Sequence, residues 1–211
     1  IPEEIDYKNN LLETAVVCDA VATPLKIIKK ARISSFDKVG VIGAGGGLGI
    51  HMLKMLKLNN ISAIGIDTKT EKFNTCNENG AEFSVSPMEN NLKNKIADYS
   101  KSHDLDVVID FVSSKSSLEL GCSILGKGGR LVTLGGSGEQ FLANSADMLV
   151  KELELIGSRY CTKQELKESL DLYARGLIEP LVSVKTDFDG AEGLHDKIEK
   201  GEITGRAGIL I

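Results

Sequence analysis

The run Val39-Gly40-Val41-Ile42-Gly43-Ala44-Gly45-Gly46-Gly47-Leu48-Gly49-Ile50 constrains the fold of this chain more than any other stretch. A short apolar strand enters a glycine cluster, and the apolar spacing of a helix follows at once. A second apolar run, Ile61-Ser62-Ala63-Ile64-Gly65-Ile66, then ends on Asp67, eighteen residues after Gly49. Strand, glycine turn, helix, strand and terminal carboxylate together predict a dinucleotide-binding unit. Gly43 lets the chain turn sharply off the strand. Gly46 and Gly47 lack Cβ atoms, so a pyrophosphate can approach the backbone. The unpaired N–H groups at the helix start favour its negative charge. Asp67 can accept hydrogen bonds from both hydroxyls of an adenosine ribose.

The spacing departs from the usual GxGxxG fingerprint, which from Gly43 would need glycine where Leu48 stands. The frame that fits is Gly43, Gly46, Gly47 and Gly49, with Gly45 a further glycine of the loop. A glycine turn without a ligand is the alternative. The strand before it, the helix after it and the acid at the next strand end weigh against that alternative.

Elsewhere, strands alternate with helices. The pattern predicts strands at 38–42, 61–66, 82–85, 106–110, 129–134 and 152–158, with helices at 22–32, 70–79, 88–101 and 115–125. The helix after the glycines carries Leu48, Met52, Leu53, Met55 and Leu56 on a face that would pack on the sheet. Further on, helices at 162–175 and 189–200 alternate with strands near 181–185 and 207–211. Strands one, four and five are almost continuously apolar, as strands covered on both faces are. The predicted class is therefore α/β: a doubly wound, mostly parallel six-stranded sheet of Rossmann type with helices on both faces.

Composition narrows the partners. A net charge of −5 excludes a general nucleic-acid binder, which carries a basic excess. No stretch approaches the roughly 18 apolar residues that span a bilayer, so no membrane partner is expected. The N-terminal Ile1-Pro2-Glu3-Glu4 lacks an apolar signal core. Cys18, Cys76, Cys122 and Cys161 form no CxxC pair, which suggests reduced thiols and a cytoplasmic location. A chain opening on Ile1 reads as a piece of something longer.

Several segments, in order, resemble the cofactor-binding half of the medium-chain, zinc-type alcohol dehydrogenases. Cys18-Asp19-Ala20-Val21-Ala22-Thr23-Pro24 resembles the segment that joins that family's two domains. Gly43 to Gly49 resembles its glycine loop, Gly80-Ala81-Glu82 its Gly-Ala-acid turn, and Gly128-Gly129-Arg130-Leu131-Val132 its entry to strand five. Gly201-Glu202-Ile203-Thr204-Gly205-Arg206-Ala207 resembles its C-terminal signature. The likeness covers nearly the whole chain. It implies a connecting segment at 1–22, an NAD-binding domain at 23–160, and helices and a strand at 161–211 that return towards a GroES-like catalytic domain. That catalytic domain, which supplies most zinc ligands in the family, is not within these 211 residues.

The resemblance also assigns candidate roles. A metal ligand usually stands four residues before a threonine that contacts the nicotinamide. Thr23 would be that threonine and Asp19 the ligand, with Cys18 the alternative should the register slip by one. Helix capping is the competing role for both Asp19 and Thr23. Leu48 would lie on the nicotinamide side of the loop or simply pack. Phe111 and Val112, followed by Ser113, and Leu134, Gly135 and Gly136 follow strands four and five at the sheet edge where ligands bind. Arg206 resembles an arginine that reaches the pyrophosphate. His51, His103 and His195 have no visible partners and are read as solvated or capping residues. Cys76, Cys122 and Cys161 are read as isolated thiols.

The function implied is hydride transfer between a small alcohol or carbonyl compound and NAD, with zinc in the intact protein. The enzyme would be a homodimer or homotetramer, paired through the edge strand at 152–158. There Leu153, Leu155 and Gly157 alternate with Glu152, Glu154, Ile156 and Ser158. Three alternatives remain. A zinc-free quinone or enoyl reductase usually prefers NADPH, against which Asp67 weighs. An S-adenosylmethionine methyltransferase would close its sheet with an antiparallel hairpin. A nucleotide-sensing module would leave the Cys18–Pro24 segment without a purpose.

Overall fold

The computed structural model describes residues 1–101 and 104–211, so His103 lies outside the described residues. Strands β1 (Lys38–Ile42), β2 (Ser62–Ile66), β3 (Ser84–Val85), β4 (Leu105–Asp110), β5 (Leu125–Thr133) and β6 (Glu154–Gly157) form one sheet in the order β3-β2-β1-β4-β5-β6. Every pairing in it is parallel. Among the described residues, this sheet has no antiparallel hairpin of the kind expected of a methyltransferase. Strand order reverses between β1 and β4, where a crevice opens beyond the carboxyl ends. Register fixes what meets there. Ile42 is level with both Ile66 and Asp110, so Gly43, Asp67 and Phe111 leave the sheet side by side.

Period-two alternation sorts the strand residues between two cores. Val39, Val41, Ala63, Val107, Ile109 and Val132 face one side, under α2 (Ala22–Lys30) and α3 (Gly49–Leu58). Ile42, Ile64, Ile66, Val108 and Leu131 face the other, under α5 (Leu92–Ser100) and α6 (Lys115–Ser123). Burying such aliphatic side chains stabilises by about 1.5–3 kcal/mol each before entropy is counted. The doubly wound sheet read from the pattern is thus what folds.

Helix α3 departs from the one-faced helix expected. Ile50, Met52, Leu53, Met55 and Leu56 are all fully buried. Met55 turns away from the sheet into a third cluster with Val17, Val21 and Ile178. That cover comes from the π-helical turn Val17–Val21 that follows α1 (Leu11–Val16), from Leu25 and Ile28 of α2, and from α8 (Lys163–Ala174). A helix enclosed on all sides reads as apolar beyond one stripe.

A second, two-stranded parallel sheet pairs β7 (Val182–Thr186) with β8 (Arg206–Ile209), and α9 (Ala191–Glu199) connects them. The expected helix at 70–79 is a 3-10 turn, Thr70–Lys72, leading into α4 (Phe73–Glu78). Strand β5 starts at Leu125, earlier than expected, and its register on β4 shifts where Gly128 takes φ +73°. Helix α7 (Ser145–Lys151) lies where the pattern predicts none, although Asn144 caps it by accepting the Ala146 N–H at 2.9 Å. On β6 the alternation is also resolved differently. Ile156 packs on one core and Leu153 on the other, while Leu155 stays exposed, as do Leu149 and Val150 of α7.

Candidate functional site

The glycine loop is folded against itself. Gly43 leaves β1 at φ +76° and donates its N–H to the Ile66 carbonyl at 2.9 Å. Gly46 N–H returns to the Gly43 carbonyl at 3.1 Å. A Cβ on Gly49 would stand 2.1 Å from the Gly43 carbonyl oxygen and 2.6 Å from that of Ala44. The last glycine of the frame therefore lets the start of α3 press onto the end of β1. Gly45 and Gly47 have different jobs. Their missing Cβ atoms leave room for Lys72 and Arg206, whose side chains would lie 2.5 Å and 2.7 Å from such atoms. The open space anticipated above Gly47 is where Arg206 rests.

Asp67 is held at the tip of β2 by the loop it serves. One carboxylate oxygen accepts the Gly45 N–H at 2.8 Å and the other the Lys69 N–H at 3.0 Å. Each oxygen keeps a second acceptor position. Of the two lysines nearby, Lys69 lines the groove, whereas Lys72 presents no free charge at the strand end. Lys72 is buried and donates to the Ile203 carbonyl at 2.6 Å.

A groove of about 390 Å³ runs over this loop, lined by Gly43, Gly46, Gly47, Leu48, Gly49, Asp67, Phe111, Val112 and Arg206. A second hollow of about 310 Å³ continues it past Gly43, Asp67 and Val112 towards Pro87, Met88 and Leu120. Thr68, Pro87 and Met88 belong to no motif read from the sequence. Their position directly after strands β2 and β3 is the signal that marks them. Thr23, Gly45, Leu134, Gly135 and Gly136 stand outside the groove lining. Gly45 lies beneath it through Asp67.

At the other strand ends, Asp110 accepts the Val112 and Ser113 N–H groups on one oxygen, at 2.8 and 2.9 Å. Its second oxygen is buried without a hydrogen-bond partner among the described residues. Ser113 takes φ +54°, and its hydroxyl meets the Thr133 hydroxyl at 2.6 Å and accepts the Gly135 N–H at 2.8 Å. The loops after β4 and β5 are thus tied together. Leu134 donates its N–H to the Asp110 carbonyl at 3.3 Å, whereas Gly136 has open space around it.

The C-terminal unit grips the loop from the opposite side. Gly205 donates to the Gly45 carbonyl at 3.2 Å, and Arg206 pairs with Asp19 while lying against Gly47. Asp19 also accepts from the Thr23 hydroxyl at 3.4 Å. Thr23 is buried within α2 and caps nothing, and Asp19 makes no capping bond either.

Two histidines stand in contrast. His51 is fully buried, not solvated as its sequence context suggested. Its Nδ1–H donates to the Gly47 carbonyl at 2.6 Å, and its Nε2 accepts the Leu181 N–H at 3.0 Å. Burial pulls its pKa down to about 4, against the smaller upward pull of the Gly47 bond. His195 is exposed on α9.

The metal question turns on donor chemistry. Cys18 is exposed, and the Cys161 thiol points at its carbonyl at 4.0 Å. Cys76 is buried, and burial pushes its thiol up to about 11, away from ligand chemistry. Among the described residues no three His, Cys, Asp or Glu side chains converge as a metal site. A catalytic zinc takes about three protein ligands. Asp19 and Cys18 do not by themselves provide them.

Residues 47–175 match the zinc-binding dehydrogenase family, and the chain belongs to it. It is 30% identical to alcohol dehydrogenase 1 of Neurospora crassa over 98% of the chain and 58% of that protein. It is 24% identical to an NAD-dependent alcohol dehydrogenase of Sulfurisphaera tokodaii over 90% of the chain and 55% of that protein. Among solved structures, the alcohol dehydrogenase of Aeropyrum pernix superimposes with a TM-score of 0.90 at 27% identity, covering 100% of the chain and 61% of the other. The chain spans little more than half the length of these relatives. No helix among the described residues is long and apolar enough to cross a membrane.

Proposed function

We propose that this chain is the NAD-binding part of an NAD-dependent, zinc-type alcohol or polyol dehydrogenase. The observation that carries the reading is Asp67, fixed by the Gly45 N–H at the tip of β2 and facing the groove over the glycine loop. A ribose seated there donates both hydroxyls to the carboxylate. Met88 and Val112 of the hollow would hold the adenine, and Gly46 to Gly49 with Arg206 would hold the pyrophosphate. Leu48, Phe111, Val112, Leu134, Gly135 and Gly136 border the path to the nicotinamide, with Thr23 behind Asp19. The bound nicotinamide supplies the hydride chemistry. The chain's own residues orient it and exclude water from its phosphate end.

Residues 23–160 carry the cofactor in this reading, and 1–22 and 161–211 join it to the rest of the enzyme. The donor set here is too small for zinc, so no step is derived through the metal. In a complete enzyme Asp19, or Cys18 in its place, is this chain's contribution to such a site. The substrate is a small alcohol or carbonyl compound. Pairing into a homodimer or homotetramer through the open edge of β6 is supported by exposed Leu155, Leu149 and Val150. Four free cysteines support a cytoplasmic location.

The test is titration with NAD and NADP. Wild type binds NAD the more tightly, because the Asp67 carboxylate repels a 2′-phosphate. Asp67→Asn weakens NAD about ten-fold, the scale of a hydrogen bond to a charged group, and narrows the preference. Equal or tighter binding of NADP by wild type refutes the reading.

A further inference from the structure

His51 has both ring nitrogens committed to backbone atoms, one at Gly47 four residues before it in the glycine loop and one at Leu181 of the C-terminal unit, which is more than a core position requires. The bonds close a circuit. His51 Nδ1–H donates to the Gly47 carbonyl. Its Nε2 accepts the Leu181 N–H, and the Leu181 carbonyl accepts the Arg206 N–H at 2.9 Å. The Arg206 side chain then returns to lie on Gly47, where the circuit began. Gly205 makes the last turn possible. It takes φ +73°, and a Cβ there would stand 2.8 Å from the Leu181 carbonyl oxygen.

We propose that His51 is a positioning residue for the dinucleotide pyrophosphate: it sets the height of Arg206 above the glycine loop by holding Leu181 at a fixed distance from Gly47. Three features support this. The neutral ring has one donor and one acceptor, and the circuit uses both. The ring is fully buried, so neither bond is exchanged with water. The ties of Lys72 to Ile203 and of Gly205 to Gly45 attach upstream of Arg206, and on the β7 side Lys54 donates to the Glu179 carbonyl at 2.7 Å and Lys185 pairs with Glu13, so His51 is the tie that joins Leu181 to the glycine loop itself. Without the histidine, Leu181 is no longer fixed to Gly47, and the guanidinium, still drawn by its ion pair to Asp19, loses its set position over the phosphate path.

The inference rests on the cofactor reading, and calorimetric titration with two probes separates them. ADP-ribose carries the pyrophosphate and adenosine does not. His51→Phe fills the ring volume and removes both bonds. His51→Gln keeps an acceptor for the Leu181 N–H and serves as the second variant if the first folds poorly. We expect ADP-ribose to bind about ten-fold more weakly to His51→Phe, the scale of one charge-assisted hydrogen bond, and His51→Gln to recover part of that loss. Adenosine affinity stays at the wild-type value in both. Arg206→Gln weakens ADP-ribose similarly, and the double variant loses no more than Arg206→Gln alone, because one residue acts through the other. Unchanged ADP-ribose affinity in both His51 variants, an equal loss for adenosine, or additive losses in the double variant overturns the inference and leaves the cofactor reading standing. Failure of wild type to bind either probe overturns both.

Discussion

The two walls of the groove are built by different physics. On the sheet side, the glycine loop is shaped by contacts within residues 43–49, where Gly43 and Gly49 approach so closely that no side chain fits. On the far side, β7 and β8 reach the same loop through hydrogen bonds and charge: Gly205 to Gly45, His51 to Leu181, and Arg206 to Asp19. Hard-sphere repulsion cannot be tuned, whereas hydrogen bonds and ion pairs respond to pH, substitution and ligands. The sheet wall therefore sets whether the site exists. The C-terminal wall sets where its one arginine stands.

The largest effect should come from breaking the rigid wall. Gly49→Ala places a methyl against two carbonyl oxygens and forces α3 away from β1. We expect a loss of about 3 kcal/mol or more in urea unfolding, together with loss of NAD binding. A loss below about 1 kcal/mol, the ordinary cost of a point substitution, would mean that the two walls are equally compliant.

The second effect belongs to the adjustable wall. His51 titrates near 6.5 unfolded and about 4 folded, so the unfolded chain takes up the proton first as pH falls. Its contribution is complete above about pH 6.5 and is lost as pH falls through about 4. The conversion from pKa to free energy puts that loss at about 3 kcal/mol. Lys54 and Arg206 reinforce the neutral form, and Asp19 opposes them weakly. Unfolding curves of wild type and His51→Gln should therefore converge between about pH 6.5 and 4. Parallel curves would show that the joint does not depend on the neutral ring.

The smallest effect sharpens the contrast from the other end. A Cβ on Gly136 would have nothing within 4 Å, and the residue has no left-handed φ. Gly136→Ala should change unfolding free energy by less than about 0.5 kcal/mol, whatever it does to the nicotinamide. Two glycines that look alike in sequence would then differ several-fold in stability cost.

Much of the sheet wall was legible from the residues. Apolar runs at 38–42 and 106–110 marked strands covered on both faces, and the spacing from Gly43 to Asp67 marked the turn and the strand-end acid. Less was legible where context overrides pattern. Helix α7 has no buried residue and so shows no stripe. Met55 looked like sheet-facing core but serves the cluster under α8. His51 looked solvated because its partners, Gly47 and Leu181, are backbone atoms that carry no side-chain signature.

By itself, the sequence determined the alternation of strand and helix, the turn at Gly43 and the carboxylate at the end of β2. Those follow from backbone sterics and short-range periodicity, which act between neighbours along the chain. Only the tertiary structure decided that Arg206 would rest on Gly47, that Asp19 would be its counter-ion, and that His51 would bind Leu181 to the loop. Those contacts join residues far apart along the chain, and their distances are set by how β7 and β8 dock on the finished sheet.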